Sequence, residues 1–145
     1  MNFRELLPLA TTLLGRPTEA AWRTAISRTY YAAFHVGCRL FRDLGFTVPR
    51  SDRAHSYLWL RLSNCSHSPT QYAAVKLQQL REARNRADYD DRFQITQAQA
   101  QRYVQDAEDI IRELDVAALE PTRTQITDAM KIYEQQVLKD VTWKP

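Results

Sequence analysis

The chain has 145 residues, 44% hydrophobic and 26% charged, enough for one globular domain with a buried core and unlike a disordered chain. Its net charge of +3 does not by itself call for a nucleic-acid partner, since an ordinary surface explains it as well. Only 3 glycines exclude a fold of many tight turns and point to long helices with short connections. The opening Met1-Asn2-Phe3-Arg4-Glu5 has no signal-peptide core, and no apolar run approaches membrane-spanning length, so a cytoplasmic protein with no membrane contact is expected. Cys38 and Cys65 match no metal-ligand spacing and read as free thiols.

Helical signals run through nearly the whole chain. A short first helix is expected over residues 2–14, ending at Gly15-Arg16-Pro17, with Pro8 kinking it or delaying its start. The second and longest runs from Thr18 as N-cap to about Leu44, stopped by Gly45, with Trp22, Ile26, Tyr30, Phe34, Gly37, Phe41 and Leu44 on its apolar face. A loop over residues 46–50 leads to a third, capped by Ser51 or Asp52 and running through Ser63, with Tyr57, Leu58, Leu60 and Leu62 to pack. Asn64 to Pro69 is the clearest loop. A fourth helix is expected from Thr70 to about Tyr89, and a fifth, capped by Thr96, carries Ala100, Val104, Ala107, Ile110, Ile111 and Leu114. Glu120-Pro121 opens a sixth, with Ile126, Met130, Tyr133, Val137 and Leu138 at helical spacing. No stretch alternates like a strand. The expected fold is all-α: a single domain, an antiparallel up-and-down helical bundle with an additional C-terminal helix that packs on it or serves as a partner surface.

One residue breaks the pattern. Leu77 and Leu80 mark the fourth helix's apolar stripe, and Arg84 stands where that stripe should continue towards Ala87. A guanidinium pointing into a bundle needs a partner, and Asp88, four residues on, lies within reach along the helix. The pair reads either as a structural brace between helices or as half of a phosphate site, because the planar fork of arginine matches phosphate oxygens. On the second helix Arg28, Tyr31 and His35 share a face, with Ser27 and Arg42 at its edges. That face either meets solvent or looks into a cleft beside the fourth helix. Arg81, Arg84 and Arg86, with Arg28 and Arg39, are candidates for a basic cleft. There is no glycine-rich phosphate loop, no His-Glu-x-x-His and no cysteine pair at zinc spacing, and His55 and His67 have no obvious carboxylate ligands, so neither a metal nor a cofactor is expected.

Two strings carry a family resemblance. Ser27-Arg28-Thr29-Tyr30-Tyr31-Ala32-Ala33-Phe34-His35 resembles the second-helix signature of the HEPN superfamily (higher eukaryotes and prokaryotes nucleotide-binding domain). Leu80 to Asp90, containing Arg84-Asn85-Arg86-Ala87-Asp88-Tyr89, resembles its later helix in the branch that reads Arg-x-x-Ala-Asp-Tyr. Gly45, Pro49 and His55 fall where that branch has a glycine, a basic turn and a histidine, and Gln97 to Leu114 resembles its closing alanine-rich helix. The resemblance covers about residues 17–115 and leaves residues 119–145 as an appended helix.

It implies a helical bundle that usually dimerises, with the polar helices of both protomers around one cleft. Many HEPN proteins are metal-independent ribonucleases of toxin–antitoxin, CRISPR and phage-defence systems, and others accompany a small nucleotidyltransferase. The ribonuclease branch places a histidine after the arginine with four to six residues between, the histidine activating the ribose 2′-hydroxyl and the arginine stabilising the phosphorane. Counted from Arg84 that position is Tyr89, Asp90 or Asp91, none of them histidine; Arg28 and His35 have the spacing but lie on another helix. The expectation is therefore a nucleotide- or RNA-binding HEPN protein, non-catalytic or atypical, paired with a nucleotidyltransferase or a toxin–antitoxin or defence system. Arg28, Tyr31, Arg81, Arg84 and Tyr89 would bind nucleotide or RNA. One alternative is a dimeric ribonuclease toxin using Arg84, His35 and Asp88; another is a structural bundle that binds a partner through its last helix.

Overall fold

Local chemistry places nearly every helix end of the computed structural model, which describes residues 1–145. The Asn2 side chain accepts the Arg4 N–H at 3.0 Å and opens a 3₁₀ turn, Phe3–Glu5, that runs into α1 (Leu6–Leu14). Pro8 sits in the first turn of α1, where its missing N–H leaves no bond unmade. The expected first helix is thus divided into a tight turn and a helix. Thr18 Oγ1 accepts the Ala21 N–H at 3.2 Å at the head of α2 (Glu19–Leu44). Gly45 ends that helix at φ +106°, a conformation that disfavours side chains, and a Cβ there would lie 2.7 Å from the Trp143 ring.

Asp52 holds the N-cap position of α3 (Arg53–Leu62) without a side-chain bond, and the Ser51 hydroxyl accepts the Arg53 N–H at 3.3 Å. The next helix, α4 (Ser68–Tyr89), starts two residues ahead of expectation because Pro69 fits a first helical turn as readily as a loop. Thr96 and Gln99 form a reciprocal cap at the start of α5 (Gln97–Ala117), each side chain accepting the other's backbone N–H. The last helix, α6 (Thr122–Tyr133), widens into a π-helical turn, Glu134–Leu138, and stops at Lys139 with φ 53°. The six helices make the chain an all-α helical bundle with an additional C-terminal helix. No helix is long and apolar enough to cross a membrane.

Two compact units are present, one of residues 1–36 and 76–111, the other of residues 37–75 and 112–145. In the first, Ile26, Ala83, Ala87, Ile95 and Ala100 form a cluster flanked by Leu14, Trp22 and Tyr103, and Ala10, Ala25 and Val104 form a second. Alanines at these positions let helix backbones approach closely.

In the second unit Phe41, Leu58, Leu62, Leu114, Ile126 and Met130 are buried and α3 packs on α6. The last helix therefore buries its own face within the chain, while Val137, read from spacing as part of that face, is 64% exposed. Glu134 occupies the inward position instead. Its carboxylate meets Arg61 Nε at 2.8 Å and accepts the backbone N–H groups of Thr142 at 2.9 Å and Trp143 at 3.1 Å. Burial pushes the Glu134 carboxyl up, but its bonds to Thr142, Arg61 and Trp143 outweigh burial and hold it below its ordinary value of 4.5. A carboxyl depressed by folding stabilises the fold above its unfolded pKa and loses that contribution as pH falls through the folded value. Acid unfolding should accordingly begin below pH 4.5, and Glu134→Gln should flatten the pH dependence of the melting midpoint below that pH.

Both cysteines are free and buried, and burial pushes the Cys38 thiol up to about 11 against the opposing charge of Arg42. At neutral pH Cys38 is a packing residue and no nucleophile.

Candidate functional site

The site is built in the first unit from facing stretches of α2 and α4. Leu77, Leu80, Ala83 and Ala87 of α4 are at most 5% exposed, and Arg84 lies among them at 8%. Its guanidinium carbon stands 5.4 Å from the Tyr30 ring centre and 5.3 Å from that of Tyr31. Three charged residues of the chain are buried: Arg61, Glu134 and Arg84. The first two neutralise each other at 2.8 Å. Arg84 has no carboxylate partner, and its buried Nε makes no hydrogen bond.

The i, i+4 pair expected between Arg84 and Asp88 is absent. Asp88 is exposed, and its Oδ2 accepts the Ser27 hydroxyl from α2 at 3.1 Å. The short aspartate side chain turns towards that donor and water, away from the apolar face that holds Arg84. Ser27 Oγ also accepts Arg28 Nη2 at 3.2 Å, so Ser27 links Arg28 to Asp88. Arg28 lies 5.3 Å from the Tyr31 ring centre, which places two guanidiniums against one tyrosine. Arg81, one turn before Arg84, is half-buried and its Nε is likewise unpartnered.

His35 sits one turn beyond Tyr31, with ring centres 6.2 Å apart, and stacks on Phe3 at 3.6 Å. Tyr89, the last residue of α4, is 80% exposed. Arg39 belongs to the second unit, where it is exposed and paired with Asp43 at 3.2 Å. No group of three histidine, cysteine or acidic side chains is arranged to hold a metal ion.

The HEPN domain, as a protein-family model, matches residues 18–117. The chain belongs to the HEPN family. No curated protein and no solved structure matches it. The HEPN match opens at Thr18, the cap of α2, and ends at Ala117, the last residue of α5, so α1 and α6 lie outside it.

Within the HEPN segment, the three positions where a ribonuclease histidine would follow Arg84 are Tyr89, Asp90 and Asp91. Arg92 donates to both Asp90 carboxylate oxygens and holds that carboxyl down at about 2, so Asp90 stays ionised and cannot act as a general acid near neutrality.

Arg23 organises the same end of α4. Its Nη1 donates to the carbonyls of Arg86, Ala87 and Asp90 at 3.0–3.1 Å, and Nη2 donates to Phe93 O. Glu19 holds Arg23 at 3.0 Å and accepts the Ile95 N–H at 3.0 Å. Sequence reading missed Arg23: its i, i+4 spacing from Glu19 could have flagged that pair, but nothing local signals the reach to carbonyls more than sixty positions away. Loss of these charge-assisted bonds in Arg23→Ala should destabilise the fold by about 2–4 kcal/mol, with amides of residues 86–95 losing most of their hydrogen-exchange protection.

Proposed function

We propose that this HEPN chain binds a nucleotide or RNA phosphate through Arg84, with Arg28, Arg81 and Tyr31 around it, and does not cleave the ligand. The observation that carries this reading is Arg84 itself, the one buried charge in the chain without an ionic partner. An unpaired buried guanidinium costs stability, and a phosphate supplies the charge and the acceptors it lacks. Two further arginines nearby, with Asp88 engaged by Ser27, favour an anion. The absence of histidine after Arg84, with Asp90 held ionised, argues against turnover. Tyr89, exposed at the end of α4, is assigned to the same ligand surface.

A homodimer around this cleft, and a nucleotidyltransferase partner in a toxin–antitoxin or defence system, complete the proposal; both rest on the habits of the family. The second reading, a metal-independent ribonuclease, is favoured by one observation: His35 lies beside Tyr31, one turn along the face that carries Arg28. In that case His35 acts as base, Arg84 stabilises the phosphorane and Asp88 orients Ser27 and Arg28.

Incubating the purified chain with single-stranded and hairpin RNA, with EDTA and without added metal, separates the two. The expected result is a retarded complex of intact RNA. Cleavage that disappears in both His35→Ala and Arg84→Ala would establish the ribonuclease instead. Co-purification with the product of an adjacent nucleotidyltransferase gene tests the partner.

A further inference from the structure

We infer that the connection between α4 and α5 forms a nucleobase-binding recess, separate from the arginine cluster at Tyr31. The inference rests on the nucleotide or RNA reading above and adds a second contact to it. The recess encloses about 60 Å³ and opens to solvent. Ile26 and Ala83 give it apolar lining, Phe93 and Tyr103 aromatic rings, and Arg86 and Gln94 polar groups. The Arg86 guanidinium lies 5.9 Å from the Phe93 ring centre, and Phe93 is 49% exposed.

Aromatic and guanidinium groups lining one recess suit a planar heterocycle, and side-chain amide and guanidinium groups suit the donors and acceptors on a base edge.

The connection is also built to stay in place. Arg23 binds the carbonyls of Arg86, Ala87, Asp90 and Phe93, and Glu19 binds the Ile95 N–H. Asp90 accepts the Arg92 N–H at 3.0 Å, and Thr96 and Gln99 cap each other. Most residues of a short, surface connection are thus tied down, while its one phenylalanine is left half in water. Rigid presentation of an exposed aromatic ring lowers the ordering cost of stacking a ligand on it.

The test is the affinity of the full chain for a labelled ten-nucleotide single-stranded RNA and for an abasic strand of equal length and charge, read by fluorescence anisotropy. Stacking of one base contributes on the order of 1–3 kcal/mol, so the RNA should bind roughly 5- to 150-fold more tightly than the abasic strand. Phe93→Ala should remove most of that preference, and Phe93→Trp should keep it. Competition by AMP, CMP, GMP or UMP, but not by ribose 5-phosphate, would assign the recess to a free nucleotide; competition by the strand alone would assign it to a base within RNA.

Equal binding of the two strands, or an unchanged preference in Phe93→Ala, overturns the recess. If Arg84→Ala still weakens both strands in that event, the phosphate reading survives without the base site. If Arg84→Ala changes nothing while Phe93→Ala abolishes the preference, the recess stands and the phosphate reading falls. Absence of binding to any of these probes overturns both.

Discussion

Arg61→Ala is expected to lower the melting midpoint by about 6–20 °C. Removing one partner of a buried ion pair leaves the other charge desolvated and typically costs about 3–5 kcal/mol, and a domain of this size loses roughly 2–4 °C per kcal/mol. The partner stranded here is Glu134, which is 0% exposed. Arg61 also donates to Tyr57 O at 3.3 Å and lies 3.5 Å from the Tyr57 ring centre, so truncation removes packing as well as charge. Glu134 binds Thr142 and Trp143, and Trp143 Nε1 donates to Leu44 O at 2.8 Å, so the C-terminal segment should loosen with it. Replacing both members, Arg61→Met with Glu134→Leu, should recover most of the loss, because no unpaired charge is then buried. A melting curve for each variant checks this, and a double variant no better than the single would contradict it.

Arg84→Leu should do the opposite to the fold. Its guanidinium has no ionic partner to strand, so an apolar side chain removes an uncompensated buried charge from the face that Leu80 and Ala87 share. The melting midpoint should hold or rise by a few degrees, while affinity for single-stranded RNA falls about 10-fold or more, the range expected for lost charge-assisted bonds to phosphate. Stability gained and binding lost by one substitution marks a residue held for a ligand. A fall in the midpoint comparable to that of Arg61→Ala would instead make Arg84 a structural residue.

These two arginines also mark how far the chain could be read before its structure was known. Arg84 was legible because it interrupts the stripe of Leu77, Leu80 and Ala87. Arg61 interrupts the stripe of Tyr57, Leu58 and Leu62, and Glu134 that of Ile126 and Met130, in the same way, and the same reasoning would have found both. What sequence does not carry is who pairs with whom. Arg61 and Glu134 are 73 positions apart, and nothing local distinguishes them from Arg84. The expected partner of Arg84 was the nearest acid along the helix, yet Asp88 turns to Ser27, 61 positions away.

Helix ends were legible for the converse reason. Thr18, Gly45 and Thr96 act through bonds to residues a few positions away, so their chemistry is written locally. The start of α4 was missed by two residues because Pro69 is compatible with both a loop and a first turn. Stacking of Phe3 on His35 and the grip of Arg23 on the end of α4 arise only when distant segments meet. The family strings located α2 and α4, but Phe93, the exposed ring of the recess, lies beyond both.

The most direct test of the central claim is the salt dependence of RNA affinity in the wild-type chain and in Arg84→Ala. For single strands, log K falls against log salt with a slope of about −0.7 for each phosphate neutralised. If Arg84 holds a phosphate, Arg84→Ala should weaken binding and make the slope shallower by about 0.7 while the fold melts no lower than wild type. An identical affinity and slope in the two proteins would contradict the account.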